Sequence, residues 1–362
     1  MISGRLSSFL DAARWISASL VLLSHVRAGL FLDYSSLPSQ TIVDAVFYAA
    51  TKLGHQAVLV FFVISGFLVG GIASTKWRAG KQTLRLYMSA RFSRIYVVLV
   101  PALVLGLIVD WAGASHWPAA YPHDLAERLN ARAFLINLLC LQTTFDGAHP
   151  FGTNRPLWSL ANEWWYYCVF GLLCTGLAAR SLALAALCAA SIITIMALLP
   201  SQISTYALFW AMGVATFYAA QAWAWRPLLL PSWLIFLASV YVSLYLRAGI
   251  TDPDVNLLAP DFLLAVCFSF VLLAYAREGD PLPFAGLHQQ MAEFSFSLYA
   301  IHNPLVTFKL ALLSGFGVGK LTLGWDSAIY FVVLVAVAVV AAKLFHQLFE
   351  SRTGEVRAAL DR

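Results

Sequence analysis

Ten windows of about twenty residues each, almost free of charge, constrain this chain more than any other feature of it. They lie near residues 9–32, 55–75, 92–112, 157–179, 182–200, 204–222, 228–247, 260–276, 292–314 and 326–349. About 20 apolar residues are what a helix needs to cross the roughly 30 Å hydrocarbon core of a bilayer. Without water to pair its backbone, each such segment must satisfy its hydrogen bonds internally, and so must be helical. The expected fold is all-α, a polytopic membrane helix bundle of about ten transmembrane helices. The connections are short, so residues 1–362 read as a single membrane-embedded domain with no room for a separate extramembranous one. Only 11% of residues are charged, against about 25% in an average soluble domain, which excludes a water-soluble fold. The first window carries Asp11, Arg14, His25 and Arg27. It is too long and too charged for a cleavable signal peptide and is expected to remain as the first span.

Basic residues report orientation in such a chain. With ten spans and a cytoplasmic N-terminus, fifteen Lys and Arg fall inside and eight outside. Counting the apolar stretch 133–145 as an eleventh span makes the tally twelve against eleven and forces the basic tail across the membrane. That stretch is thirteen residues long, nearer a re-entrant or interfacial segment. Ten spans with both termini cytoplasmic is therefore the expectation, with the acidic loop 251–261 and the long connection 113–156 outside. No basic run with interleaved aromatics lies outside the windows, so membrane lipid rather than nucleic acid is the expected partner. Cys140, Cys168, Cys174, Cys188 and Cys267 lie in apolar stretches with no spacing that suits a metal, and none is expected.

Ionisable groups near the bilayer centre cost about 2.5–3.5 kcal/mol even on a lenient scale, so each needs a reason. Arg14 and His25 are eleven steps apart, about 16 Å along a helix and within about 20° on its face. They form a stripe facing a polar cavity or a partner, unless Arg14 snorkels to the headgroups and His25 is an interior histidine with satisfied bonds. Glu163 enters from the outside about six residues down its helix, a depth close to that of His25, so the carboxylate could orient the imidazole as a base. Its alternative is an interfacial acid in a belt with Trp158, Trp164 and Trp165. Arg91 and Arg94 share a face at i, i+3, and two guanidinium forks suit a phosphate-bearing ligand, with anionic lipid as the rival. Gly66 and Gly70 make a small-residue face, usually a packing device, beside which Ser65 is more often a back-bonded hydroxyl than a nucleophile. In the ninth span Pro304 frees the carbonyl of Ala300. His302 is then either catalytic or a structural histidine bonding that disrupted backbone.

Together these segments resemble the acyltransferase family 3 of integral membrane proteins, which in bacteria modify surface and exported glycans. The resemblance rests on Leu10-Asp11-Ala12-Ala13-Arg14 leading to His25, Phe61-Phe62-Val63-Ile64-Ser65-Gly66-Phe67, Arg91-Phe92-Ser93-Arg94, Trp158-Ser159-Leu160 with Glu163 and Tyr166, and Ser297-Leu298-Tyr299 with His302 and Pro304, in that order. It implies transfer of an acyl group, most simply acetyl, from a cytoplasmic acyl-CoA to a hydroxyl of a glycan or lipid-linked saccharide, in the bacterial inner membrane. By the same resemblance His25, Glu163 and Arg14 are the catalytic candidates. Arg91 and Arg94, with Ser65 and Gly66 along the arm of the donor, are the donor-binding candidates, and His302, Tyr299 and Trp158 give support. Many members carry an aspartate before the paired phenylalanines, but here Gly54-His55-Gln56-Ala57-Val58-Leu59-Val60 has none, and His55 or Gln56 is expected to replace its polarity. The soluble esterase-like domain fused to some members is not expected. The alternative from another class is a secondary transporter or flippase for an anionic solute that uses the same arginines.

Overall fold

The computed structural model describes residues 3–223, 225–248 and 258–362. Its long elements are helices: α1 (Gly4–Leu30), α2 (Ile42–Thr51), α3 (Gly54–Ser65), α4 (Gly71–Arg78), α5 (Leu84–His116), α6 (Leu125–Arg128), α7 (Ala131–Leu138), α8 (Trp158–Ala178), α9 (Leu182–Leu198), α10 (Ser201–Ala222), α11 (Leu229–Ala248), α12 (Leu258–Tyr275), α13 (Ala285–Glu293), α14 (Ser295–Gly315), α15 (Trp325–Leu348) and α16 (Thr353–Asp361). Eight helical segments among the described residues are long and apolar enough to cross a membrane. The two other expected windows are helices as well, α8 with 21 residues and α9 with 17. The chain is an all-α polytopic membrane bundle. Of the stretch 133–145 only residues 133–138 are helical, the last six of the eight residues of α7, with Asn130 Oδ1 capping the Ala133 N–H at 2.9 Å. At 1.5 Å per residue α7 is about 12 Å long and does not span. Of the acidic loop expected at 251–261, residues 251–257 lie outside the described residues, and Asp261 belongs to α12.

The helices gather into two compact units interleaved along the chain. The first comprises the residues up to Ser17, His55–Ser89 and Trp165–Ala292. Here α3 continues into α4 through a π-helical turn, Gly66–Gly70, against α10. A Cβ on Gly66 would sit 1.8 Å from the Trp210 carbonyl oxygen, and one on Gly213 2.0 Å from that of Val63. The two backbones touch, which only hydrogen at both positions permits. Ser65 Oγ accepts from Trp210 Nε1 at 3.2 Å and lies 3.3 Å from Tyr167 Oη. Aromatic rings of α8 and α10, among them Trp165, Phe170 and Trp210, line an apolar cavity of about 400 Å³. His55, in the segment before the paired phenylalanines, meets Asp261. Its buried carboxylate accepts from Arg247 at 2.8 and 3.0 Å and lies 2.9 Å from His55 Nε2.

The second unit comprises Ala18–Gly54, Ala90–Trp164 and Glu293–Arg362. It holds the later part of α1, most of α5, the connection from α7 to α8, and helices α14 and α15. That connection is built as a folded loop. Asn137 Oδ1 accepts from the Phe151 N–H at 3.0 Å while its Nδ2 donates to His149 O at 2.9 Å, and Gln142 Nε2 donates to Leu157 O at 2.9 Å. Asp110 of α5 accepts from both the N–H (2.7 Å) and the hydroxyl (2.8 Å) of Thr153. The residue before it, Gly152, has φ +55°, and a Cβ there would lie 2.2 Å from Asp110 Oδ2, so glycine alone fits. Just past the end of α5, burial first and the Asp110 charge second push the Tyr121 phenol upward, keeping it neutral.

Candidate active site

The site is assembled from the backbone defect at Pro304. A proline inside a helix has no N–H for the carbonyl four residues earlier, so Ala300 O in α14 loses its helical partner. Asn154 Nδ2 donates to it at 2.7 Å. The same loop is tied to α14 twice more, by Tyr299 Oη donating to Pro156 O at 2.8 Å and by Asn303 Nδ2 donating to Thr153 O. Tyr299 Oη, having used its proton, accepts from the Ser159 hydroxyl of α8 at 2.6 Å. Polar side chains that would be costly in hydrocarbon are thus spent on fixing one loop to one helix.

His302 lies between these ties and is fully buried. Its Nδ1 sits 2.9 Å from Tyr299 O and 3.1 Å from Leu298 O, two acceptors without protons. The ring proton must therefore be on Nδ1, which makes Nε2 an acceptor. That Nε2 is buried with no hydrogen-bond partner among the described residues. The ring beside it is that of His25 on α1, centroid to centroid 5.1 Å at 61°. Arg155 and Arg27 lie within Coulombic range of His25, and Glu163 within that of the Tyr299 hydroxyl. Among the described residues no cluster of three or more metal-ligating side chains occurs.

The structure therefore brings His25, His302 and Tyr299 together in the second unit, with Glu163 and the half-buried Trp158 on the helix that supplies Ser159. Arg14 lies on the earlier part of α1, its Nη1 3.8 Å from Asp11 Oδ1 one turn back. Arg91 and Arg94 share one face of α5 as expected, but the Nη1 of Arg94 donates to Glu350 Oε1 at 2.6 Å. Gly66, expected along a donor groove, is pressed against the α10 backbone with no space for anything beyond its hydrogen. Sequence reasoning missed Asn154, Arg155 and Glu350. The last had a signal, an acid immediately after the tenth apolar window; the other two are unremarkable loop residues until α14 is placed beside them.

The helical bundle, with two imidazoles packed together inside it, is that of a membrane protein. The chain belongs to the acyltransferase 3 family, described as an acyltransferase domain, which it matches over residues 7–346. It is 25% identical over 380 aligned residues to the acyltransferase MdmB of Streptomyces mycarofaciens, covering 94% of this chain and 90% of that protein. A shorter match, 32% identical over 117 residues, covers 32% of this chain and 46% of an uncharacterized protein of Haemophilus influenzae. No solved structure matches. Family membership decides between acyl transfer and the transporter alternative in favour of transfer.

Proposed function

We propose that the protein transfers an acyl group, acetyl in the simplest case, from a cytoplasmic acyl-CoA to a hydroxyl of a surface or exported glycan, in a bacterial inner membrane with both termini cytoplasmic. The observation that carries this reading is the His25–His302 pair, because a hydroxyl needs a base to attack a thioester. His302 has its proton fixed on Nδ1 by two carbonyls, which leaves its Nε2 an acceptor, and the neighbouring ring of His25, 5.1 Å away, is assigned as the base that takes a proton from the acceptor hydroxyl. The acceptor hydroxyl gives that proton to His25 as its oxygen bonds to the acyl carbon. The C–S bond then breaks, and the departing thiolate takes the proton back from the imidazolium. Arg91 and Arg94 are assigned to the anionic end of the donor, where guanidinium forks match phosphate oxygens. Glu163, beside Tyr299, is assigned to the acceptor, and Ser65 to the arm of the donor.

The test is label transfer from radioactive acetyl-CoA in inverted membrane vesicles. Label appears on glycan with the wild-type protein and not with His25→Ala at equal expression. A folded wild-type protein that moves no label from the donor would overturn the reading.

A further inference from the structure

We infer that Glu350 is a positioning residue for donor binding: it holds the Arg94 guanidinium against the start of α14 so that the remaining edge of that guanidinium meets a donor phosphate. This rests on the assignment of acyl-CoA as donor. Glu350 follows α15 in the short 3₁₀ turn Glu350–Arg352. Its Oε1 accepts from Arg94, and its Oε2 accepts from the Ser297 N–H at 3.1 Å and the Ser297 hydroxyl at 2.5 Å, with His346 Nδ1 at 3.3 Å. The Ser297 N–H belongs to the first turn of α14, where backbone donors lack helical acceptors, so the carboxylate also caps that helix. Arg94 lies over the ring of the preceding residue, Phe296, at 5.0 Å. Two neighbouring residues of α14 and one carboxylate thus fix a single guanidinium.

Two features separate this arrangement from an ion pair that only stabilises the fold. The Glu350 side chain is 1% exposed, whereas that of Arg94 is 34% exposed. A guanidinium has five N–H donors, and Glu350 engages Nη1, leaving the exposed edge for an anion. The carboxylate lowers the local positive charge, which works against phosphate affinity. It also removes the freedom of a long side chain that binding would otherwise have to restrict, and for a fork that must meet two oxygens the second effect governs. Five residues beyond Ser297 on the same helix is His302, so the clamp ties the donor arginine to the helix that carries one imidazole of the pair.

The experiment is equilibrium binding of acetyl-CoA to the purified full-length chain, with Arg94→Ala, Glu350→Gln and the double variant, each checked for an unchanged thermal transition. Glu350→Gln is expected to bind about tenfold more weakly, and to add nothing once Arg94 is Ala. Ser297→Ala, which loosens the clamp without touching either charge, is expected to fall between wild type and Glu350→Gln and stands in if the latter misfolds. Binding by Glu350→Gln, or in its place Ser297→Ala, equal to wild type, or an equal loss in both Arg94 backgrounds, would overturn the inference. Absence of binding by folded wild type would instead overturn the donor assignment beneath it.

Discussion

Asn154 donates 2.7 Å to the carbonyl oxygen of Ala300, the group that Pro304 deprives of its helical partner. An unpaired carbonyl inside a membrane bundle costs several kcal/mol, so the proline and the asparagine depend on each other. Asn154→Ala is expected to lower stability by about 1–3 kcal/mol. Adding Pro304→Ala restores an N–H within α14, so the double variant should unfold at a higher temperature than Asn154→Ala alone. Thermal unfolding in detergent reads both, and a double variant no more stable than the single one would break the link.

The imidazole pair makes a sharper demand. His25→Ala should abolish acyl transfer, and His302→Ala should slow it by about 10²-fold, within the range for loss of assistance to proton transfer. Neither residue is assigned to the anionic end of the donor, so acetyl-CoA binding should be unchanged in both. Initial rates and equilibrium binding measured on the same preparations check this. A weakened donor affinity in His302→Ala at normal turnover would mean that the ring shapes the site without taking part in the reaction.

The close contact of α10 with the π-helical turn before α4 is expected to tolerate no side chain. Gly66→Ala would put a carbon 1.8 Å from the Trp210 oxygen, whereas a Cβ at Gly286 meets nothing within 4 Å. Overpacking of a tight contact costs typically about 1–3 kcal/mol, and more when backbone is the obstacle. Gly66→Ala should therefore reduce the yield of monodisperse protein while Gly286→Ala leaves it unchanged, as size-exclusion chromatography of the two will show.

The spans were legible because hydropathy is a local property: the ten windows coincide with α1, α3 to α4, α5, α8 to α12, α14 and α15. The helical stripe of Arg14 and His25 and the shared face of Arg91 and Arg94 follow from periodicity alone. What could not be read was which polar group answers which. Depth is a one-dimensional coordinate, and it does not show that the ring against His25 belongs to a helix far along the chain. Arg94 looked available because its partner, Glu350, reaches it only through the fold. The connection 113–156 has no periodicity, and its order comes from Asp110, Asn137 and Asn154 bonding to backbone.

Arg155 gives the last test. It is exposed, it sits between the tie at Asn154 to Ala300 and the tie at Pro156 to Tyr299, and its charge is felt at His25. A cation within Coulombic range of the proposed base can stabilise the negative charge that forms on the carbonyl oxygen as the hydroxyl attacks. Because the two ties run through neighbouring residues, Arg155→Ala should leave the loop in place and the thermal transition unchanged. The turnover number should fall about tenfold to a hundredfold with acetyl-CoA binding intact, and Arg155→Lys should recover part of it, since the charge is retained and the fork is lost. A turnover number unaffected in Arg155→Ala would assign this side chain to the surface of the loop alone.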